Sequence, residues 1–147
     1  MIWEWALSAY GQPGVPEACL RLQDEFGQNS SLLLWAVWAE VGDPALLARA
    51  AEAARAWEAT ALGPLRKVRR ALKPAAPPVA DAAREGLRED VKNAELRAER
   101  VLMETLASLS GDHRGGAHAL AALQGASAAW GPRAPDEALA ALAAALS

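Results

Sequence analysis

Residues Ser31 to Val41 read SLLLWAVWAEV, and only Ser31 and Glu40 in that run are polar. A helix of this composition is apolar nearly all round. It cannot lie on a surface with one face in water, so the rest of the chain has to surround it. Trp35 and Trp38 are three apart and share a face of it. The chain holds six tryptophans but one phenylalanine and one tyrosine. The other helical stretches are rich in alanine, which fills little volume. A few very large side chains must then fill the space between Ala-rich helices. The tryptophans are therefore expected as core, with ligand stacking as the second reading.

Helical punctuation runs the whole length, and no strand pattern is evident. Trp3, Leu7 and Tyr10 fall at helical spacing on a short first helix that "GQPG" breaks. Pro16 suits the first turn of a second helix. Val15, Cys19, Leu22 and Phe26 form its stripe and Gly27 closes it. "NSS" supplies capping groups for the central helix. Asp43 and Pro44 then start a fourth, with Leu46, Leu47, Ala50, Ala54 and Trp57 facing in. Gly63-Pro64 is expected to kink or break it, with a helix continuing to about Lys73. Residues 74–79 are a Pro-rich loop. A long helix spans about Asp81 to Leu109, and Leu87, Val91, Ala94, Ala98 and Val101 alternate steps of four and three like a coiled-coil seam. Two Ala/Leu-rich helices close the chain, Ala117 to about Trp130 and Pro135 to Leu146. The expectation is an all-α, six- to seven-helix bundle in a single domain over residues 1–147. It has a central Trp-rich helix and a long C-proximal helix.

With 15 basic and 18 acidic side chains the net charge is −3, which exerts no global pull toward nucleic acid. The single cysteine, Cys19, excludes an internal disulfide and a Cys-based zinc site, and its place in an apolar stripe makes it buried and inert. The longest apolar run, Leu32 to Ala39, is far short of the ~20 residues of a membrane span. Glu4 follows the start too closely for a signal peptide. A cytoplasmic protein is the expectation.

Several stretches in order, "CLRLQDEFG", "LLLWAVW", "PLRKVRRALK" and "AELRAER", resemble an uncharacterised proteobacterial family of small proteins, domain-of-unknown-function family 2390. The resemblance covers roughly residues 2–110 and leaves 111–147 outside. It implies a small helical protein and carries no catalytic residue, cofactor or metal ligand.

The sharpest chemistry is in "PLRKVRRALK". Arg66, Lys67, Arg69, Arg70 and Lys73 bring five positive charges and no acid. Arg66, Arg69, Arg70 and Lys73 share one helical face, and Leu65, Val68 and Leu72 lie opposite. Such a face can bind nucleic acid, anionic lipid headgroups or another phosphate-rich ligand, or an acidic protein surface. It can equally be neutralised from within, since the first 45 residues carry six acids (Glu4, Glu17, Asp24, Glu25, Glu40, Asp43) against Arg21 alone. Glu95 and Glu99 are paired acids on one face of the long helix, placed to meet the Arg66/Arg70 stripe. A helical di-metal site would need Glu-x-x-His, which is absent. "HRGGAH", with His113, Arg114 and His118, reads as a loop, or as an anion cradle built on the Gly115 and Gly116 amides. No phosphate loop, nucleophile elbow or zinc-protease motif occurs. No catalytic set assembles, and no cofactor is called for. The expected function is a non-enzymatic interaction or regulatory protein binding another protein, with a homodimer along the long helix open. Nucleic-acid binding through residues 64–73 is the alternative, and an enzyme with a Trp-lined pocket comes third.

Overall fold

The structure is a computed structural model that describes residues 1–112 and 114–147. The described residues form helices only: α1 (Ile2–Tyr10), α2 (Val15–Phe26), α3 (Ser30–Trp38), α4 (Pro44–Trp57), α5 (Gly63–Ala71), α6 (Asp81–Ser110), α7 (Ala119–Trp130) and α8 (Asp136–Leu146). A π-helical turn at Glu58–Leu62 joins α4 to α5 without a break. Taken as one run, Pro44–Ala71 makes seven helices in all, the all-α bundle that the sequence predicts.

α3 begins where Asn29 Oδ1 accepts the Leu32 N–H at 2.9 Å. Leu32, Leu33, Leu34, Trp35 and Ala36 are all fully buried. α3 packs against α1, α2, α4, α6 and α7, so every side of it meets a neighbour. It ends at Trp38, short of the expected Val41. Glu40 adopts φ 51°, and the Ala39 and Glu40 carbonyls accept the Gly115 and Ala117 N–H groups at 3.0 and 3.1 Å. A Cβ on Gly115 would lie 2.4 Å from the Glu40 oxygen, so this approach needs glycine.

The tryptophans tie helices together as well as filling space. Trp35 Nε1 donates to Ser110 Oγ at 3.1 Å, Trp57 Nε1 to the Ala98 carbonyl at 2.9 Å, and Trp130 Nε1 to the Gly27 carbonyl at 2.7 Å. Gly27, at φ 62°, closes α2. In α1 the buried residues are Ile2, Trp3, Ala6 and Ala9. Leu7 is exposed, because α1 presents Trp3 and Ala6 to the bundle and Leu7 falls outside that arc.

Gly63-Pro64 does not stop the helix, which runs on through it. Proline lacks an N–H and its ring crowds the carbonyl one turn back. The π turn widens the helix here, and Gly63 N–H bonds to Glu58 O. A Cβ on Gly63 would approach that oxygen to 2.9 Å.

α7 packs on α3 and α4, and α8 packs on α2 and α7. Buried polar groups lock this end. Gln28 accepts from Ser127 Oγ at 2.7 Å and donates to Pro132 O at 2.9 Å, while Ser127 Oγ accepts the Ala134 N–H at 2.8 Å.

α6 runs 30 residues, about 45 Å at the usual helical rise. Its buried positions are Arg84, Glu95, Ala98, Leu102, Met103 and Leu106. The apolar seam expected over Leu87, Val91, Ala94, Ala98 and Val101 is therefore split. Ala98 is buried and Val91 half-buried, but Leu87, Ala94 and Val101 are exposed. Polar side chains occupy the N-terminal half of the true inward stripe, which turns the helix away from the apolar pattern. The Ala-rich end covers α3, α4 and α2 rather than α6.

Trp35→Ala should lower the unfolding free energy by about 3–5 kcal/mol, the cost of deleting a large aromatic from a packed core. The urea midpoint measures it, and a loss under about 1 kcal/mol would mean that the site is not enclosed.

Candidate functional site

α5 meets α6 through charge. The direction of α5 that faces the bundle falls between its basic and apolar stripes, so both are divided. Leu65 and Leu72 are half-buried but Val68 is exposed. Arg66 and Arg69 turn inward, while Lys67, Arg70 and Lys73 stay exposed. Arg66 Nη1 pairs with Glu58 Oε1 at 2.9 Å, and Arg69 Nε with Glu95 Oε1 at 2.7 Å and Oε2 at 3.3 Å. Arg70 reaches only the exposed Asp24, at 3.7 Å. The five cations expected on one basic patch thus serve two purposes. Two are spent inside the fold and three remain on the surface.

Glu99 lies one turn beyond Glu95 and faces the same layer. Burial pushes its carboxyl up to about 7, helped by Glu95 and Glu58 and opposed by Arg66 and Arg69. Tyr10 from α1 and Cys19 from α2 close the far side. Burial first, then the Glu99 charge, pushes the Cys19 thiol up to about 12, against a hydrogen bond with Ser30. Burial, Cys19 and Glu99 together push the Tyr10 hydroxyl up. Among the described residues, Glu58 Oε2 and Arg66 Nε are buried without a hydrogen-bond partner. Arg69, Lys92, Glu95, Leu96 and Glu99 line a groove of about 250 Å³ that opens this layer to the surface.

Two arginines with no signal in an apolar pattern complete the contact. Arg84 is buried, and its Nη1 donates to the Leu72 and Lys73 carbonyls at 3.2 and 2.9 Å. Arg88 Nε donates to the Arg69 carbonyl at 3.4 Å. Both satisfy carbonyls at the C-terminal end of α5, where the helix dipole favours positive charge. The step pattern 84, 88, 91, 95, 98, 102 was readable, but only to an eye willing to place Arg and Glu inside.

A second cleft, of about 580 Å³, is lined by Glu4, Trp5, Ser8, Trp38, Asp112 and Arg114. The Arg114 guanidinium sits 4.0 Å from the Trp38 ring centroid. The anion cradle expected around Gly115 is not free, since its amide bonds to the Ala39 carbonyl. His113 lies outside the described residues. Among the described residues, no group of three or more His, Cys, Asp or Glu side chains is arranged to hold a metal, and no helix is long and apolar enough to cross a membrane.

The family model described as "Protein of unknown function (DUF2390)" matches residues 1–106. The chain belongs to this family. No curated protein and no solved structure matches the chain. The part shared with DUF2390 proteins holds α1 to α5 and most of α6, hence the whole charged layer, and stops before α7 and α8.

Two outcomes follow from this layer. Arg69→Ala strands the buried Glu95 and should cost about 3–5 kcal/mol, whereas Arg70→Ala removes an exposed, long pair and should cost less than about 0.5 kcal/mol; parallel urea titrations separate them. For Glu99, the folded carboxyl binds its proton more tightly than the unfolded one, whose ordinary value is 4.5. The stability this gives is fully present below about 4.5 and is lost as pH rises through about 7. Glu99→Gln removes that loss. Its melting temperature should exceed the parent's above neutrality, with the gap closing on acidification; a gap that does not change with pH would contradict the placement of Glu99.

Proposed function

We propose that this DUF2390 protein is a non-enzymatic helical interaction protein that binds another protein through the outward flank of α6. One observation carries the reading. Leu87 and Val101 are 52% and 42% exposed, seven residues to either side of the exposed Ala94, on a helix whose adjoining side is packed on the bundle. A heptad-spaced apolar stripe on the free side of a long helix is the form that recognises another helix. Lone exposed apolar residues are ordinary, but a periodic row is not.

The nucleic-acid reading keeps Lys67, Arg70 and Lys73 on the surface, while Arg66 and Arg69 are engaged with Glu58 and Glu95. That weakens a phosphate-tracking face, whose affinity grows with each cation it can offer. For the enzymatic reading, Trp35 is sealed, while Trp5 and Trp38 beside Arg114 line one cleft and Trp3 another. A cytoplasmic setting rests on the buried, unpaired Cys19.

A photo-reactive amino acid placed at Val101 in living cells should give a covalent protein adduct, and one at the exposed Arg49 of α4 should not. No adduct from Val101 would contradict the proposal. Salt-sensitive retention on heparin that is lost when Lys67, Arg70 and Lys73 are reversed would move the assignment to nucleic acid.

A further inference from the structure

The stripe on α6 has a symmetry that identifies its occupant. Leu87 and Val101 are equidistant from Ala94. Asp90 and Arg97 lie along one edge of the stripe, and their midpoint falls within half a residue of the same place. Both are exposed, and among the described residues neither joins an ion pair within the chain. A second α6 laid antiparallel about a twofold axis at Ala94 would set Leu87 against Val101, and Asp90 against Arg97, twice over. A parallel copy in register would put the Asp90 and Arg97 edges on opposite flanks of the pair, where no reciprocal ion pair forms. A surface that complements itself under a twofold is what an isologous dimer requires.

We propose that the protein pairs with a second copy of itself through antiparallel α6 helices, with Ala94 on the twofold axis and reciprocal Asp90–Arg97 ion pairs. This rests on the reading of the α6 flank as a helix-binding surface and names the partner. Ala94 at the axis leaves no bulk between the helices and lets them approach to the short end of the usual interaxial range, about 8 Å. Beside Val101, a groove of about 610 Å³ bounded by Trp3, Leu96, Arg97 and Arg100 receives Leu87 of the second copy. In the monomer Arg100 stands 5.9 Å from the Trp3 ring centroid, and its guanidinium pairs with Glu104 at 2.8 Å, so the groove wall is already ordered before docking. The charged layer on the adjoining side of α6 helps hold the helix in the rotation that presents this stripe.

Sedimentation equilibrium of the purified full chain at micromolar concentration tests the pairing. The dimer is expected, weakened roughly tenfold or more by Asp90→Arg or Arg97→Asp alone, since each reversal opposes two like charges. The double change Asp90→Arg with Arg97→Asp should restore it, because self-complementarity returns. A monomer at every concentration, or a dimer indifferent to both single reversals, overturns the proposal. A second readout does not depend on charge. Under mild oxidation Ala94→Cys should give a disulfide-linked dimer, while Leu87→Cys alone should not and a mixture of Leu87→Cys with Val101→Cys should. A linked dimer from Leu87→Cys alone would mean a parallel pair and would also overturn it. If the purified chain is monomeric but the Val101 probe captures a different protein, self-pairing fails and the interaction function stands. If neither dimer nor adduct appears, both fail.

Discussion

Arg69 and Glu95 meet at 2.7 Å where α5 crosses α6, with Glu95 buried and Arg69 half-buried. That contact fixes how α6 is rotated about its own axis. The Arg66–Glu58 pair supports it from the π turn, and Arg84 and Arg88 support it by bonding the last carbonyls of α5. A buried ion pair contributes little net stability compared with an apolar contact of equal size, because both charges lose their hydration. What it does supply is direction: an apolar pattern alone would let α6 turn Leu87, Ala94 and Val101 inward. The charged layer, together with Ala98, Leu102, Met103 and Leu106 buried further along the helix, holds them out, and the proposed binding surface depends on that rotation. Glu99 is the cost of this arrangement, a third carboxyl confined among Glu58 and Glu95 with two arginines to share.

The other half of the molecule is built on dry packing. α3 has no polar side, so it needs cover on every side, and α1, α2, α4, α6 and α7 provide it. One of those covers, α7, lies beyond the part shared with DUF2390 proteins. It is nevertheless bound into the same core through Ala122, Leu123 and Ala126, and tied by Gln28, Ser127 and the Trp130 indole. Arg55 on α4 adds a hydrogen bond to the Ala129 carbonyl at 2.8 Å and lies over the Trp130 ring.

Much of this was legible from residues. The all-round apolar run announced the central helix, Asp43 and Pro44 announced the start of α4, and Gly27 the end of α2. Trp35 and Cys19 were rightly placed inside. The failures share a cause. Reading burial from apolarity mistook the inward side of α6, because the residues that face inward there are Arg84, Arg88 and Glu95. The same rule set Val68 with Leu65 and Leu72 on one apolar face, and the pairing expected of Glu95 and Glu99 with the Arg66/Arg70 stripe falls instead to Arg69 with Glu95 and Arg66 with Glu58. Gly63-Pro64 read as a kink or a break because a π turn leaves no mark beyond a glycine positioned for close approach. The division of the basic stripe into paired and free cations depends on the crossing of two helices, which no local pattern encodes.

The rotation of α6 can be measured directly. Single cysteines placed in turn along residues 84–106, with the buried Cys19 as an internal reference, can be followed by their rate of reaction with a thiol reagent at concentrations too low for association. The account predicts fast labelling at Leu87, Ala94 and Val101 and strong protection at Ala98, Leu102 and Leu106. Protection at Leu87, Ala94 and Val101 in that dilute monomer, with fast labelling at Glu95, would show that apolar packing rather than the charged layer sets the helix, and would contradict it.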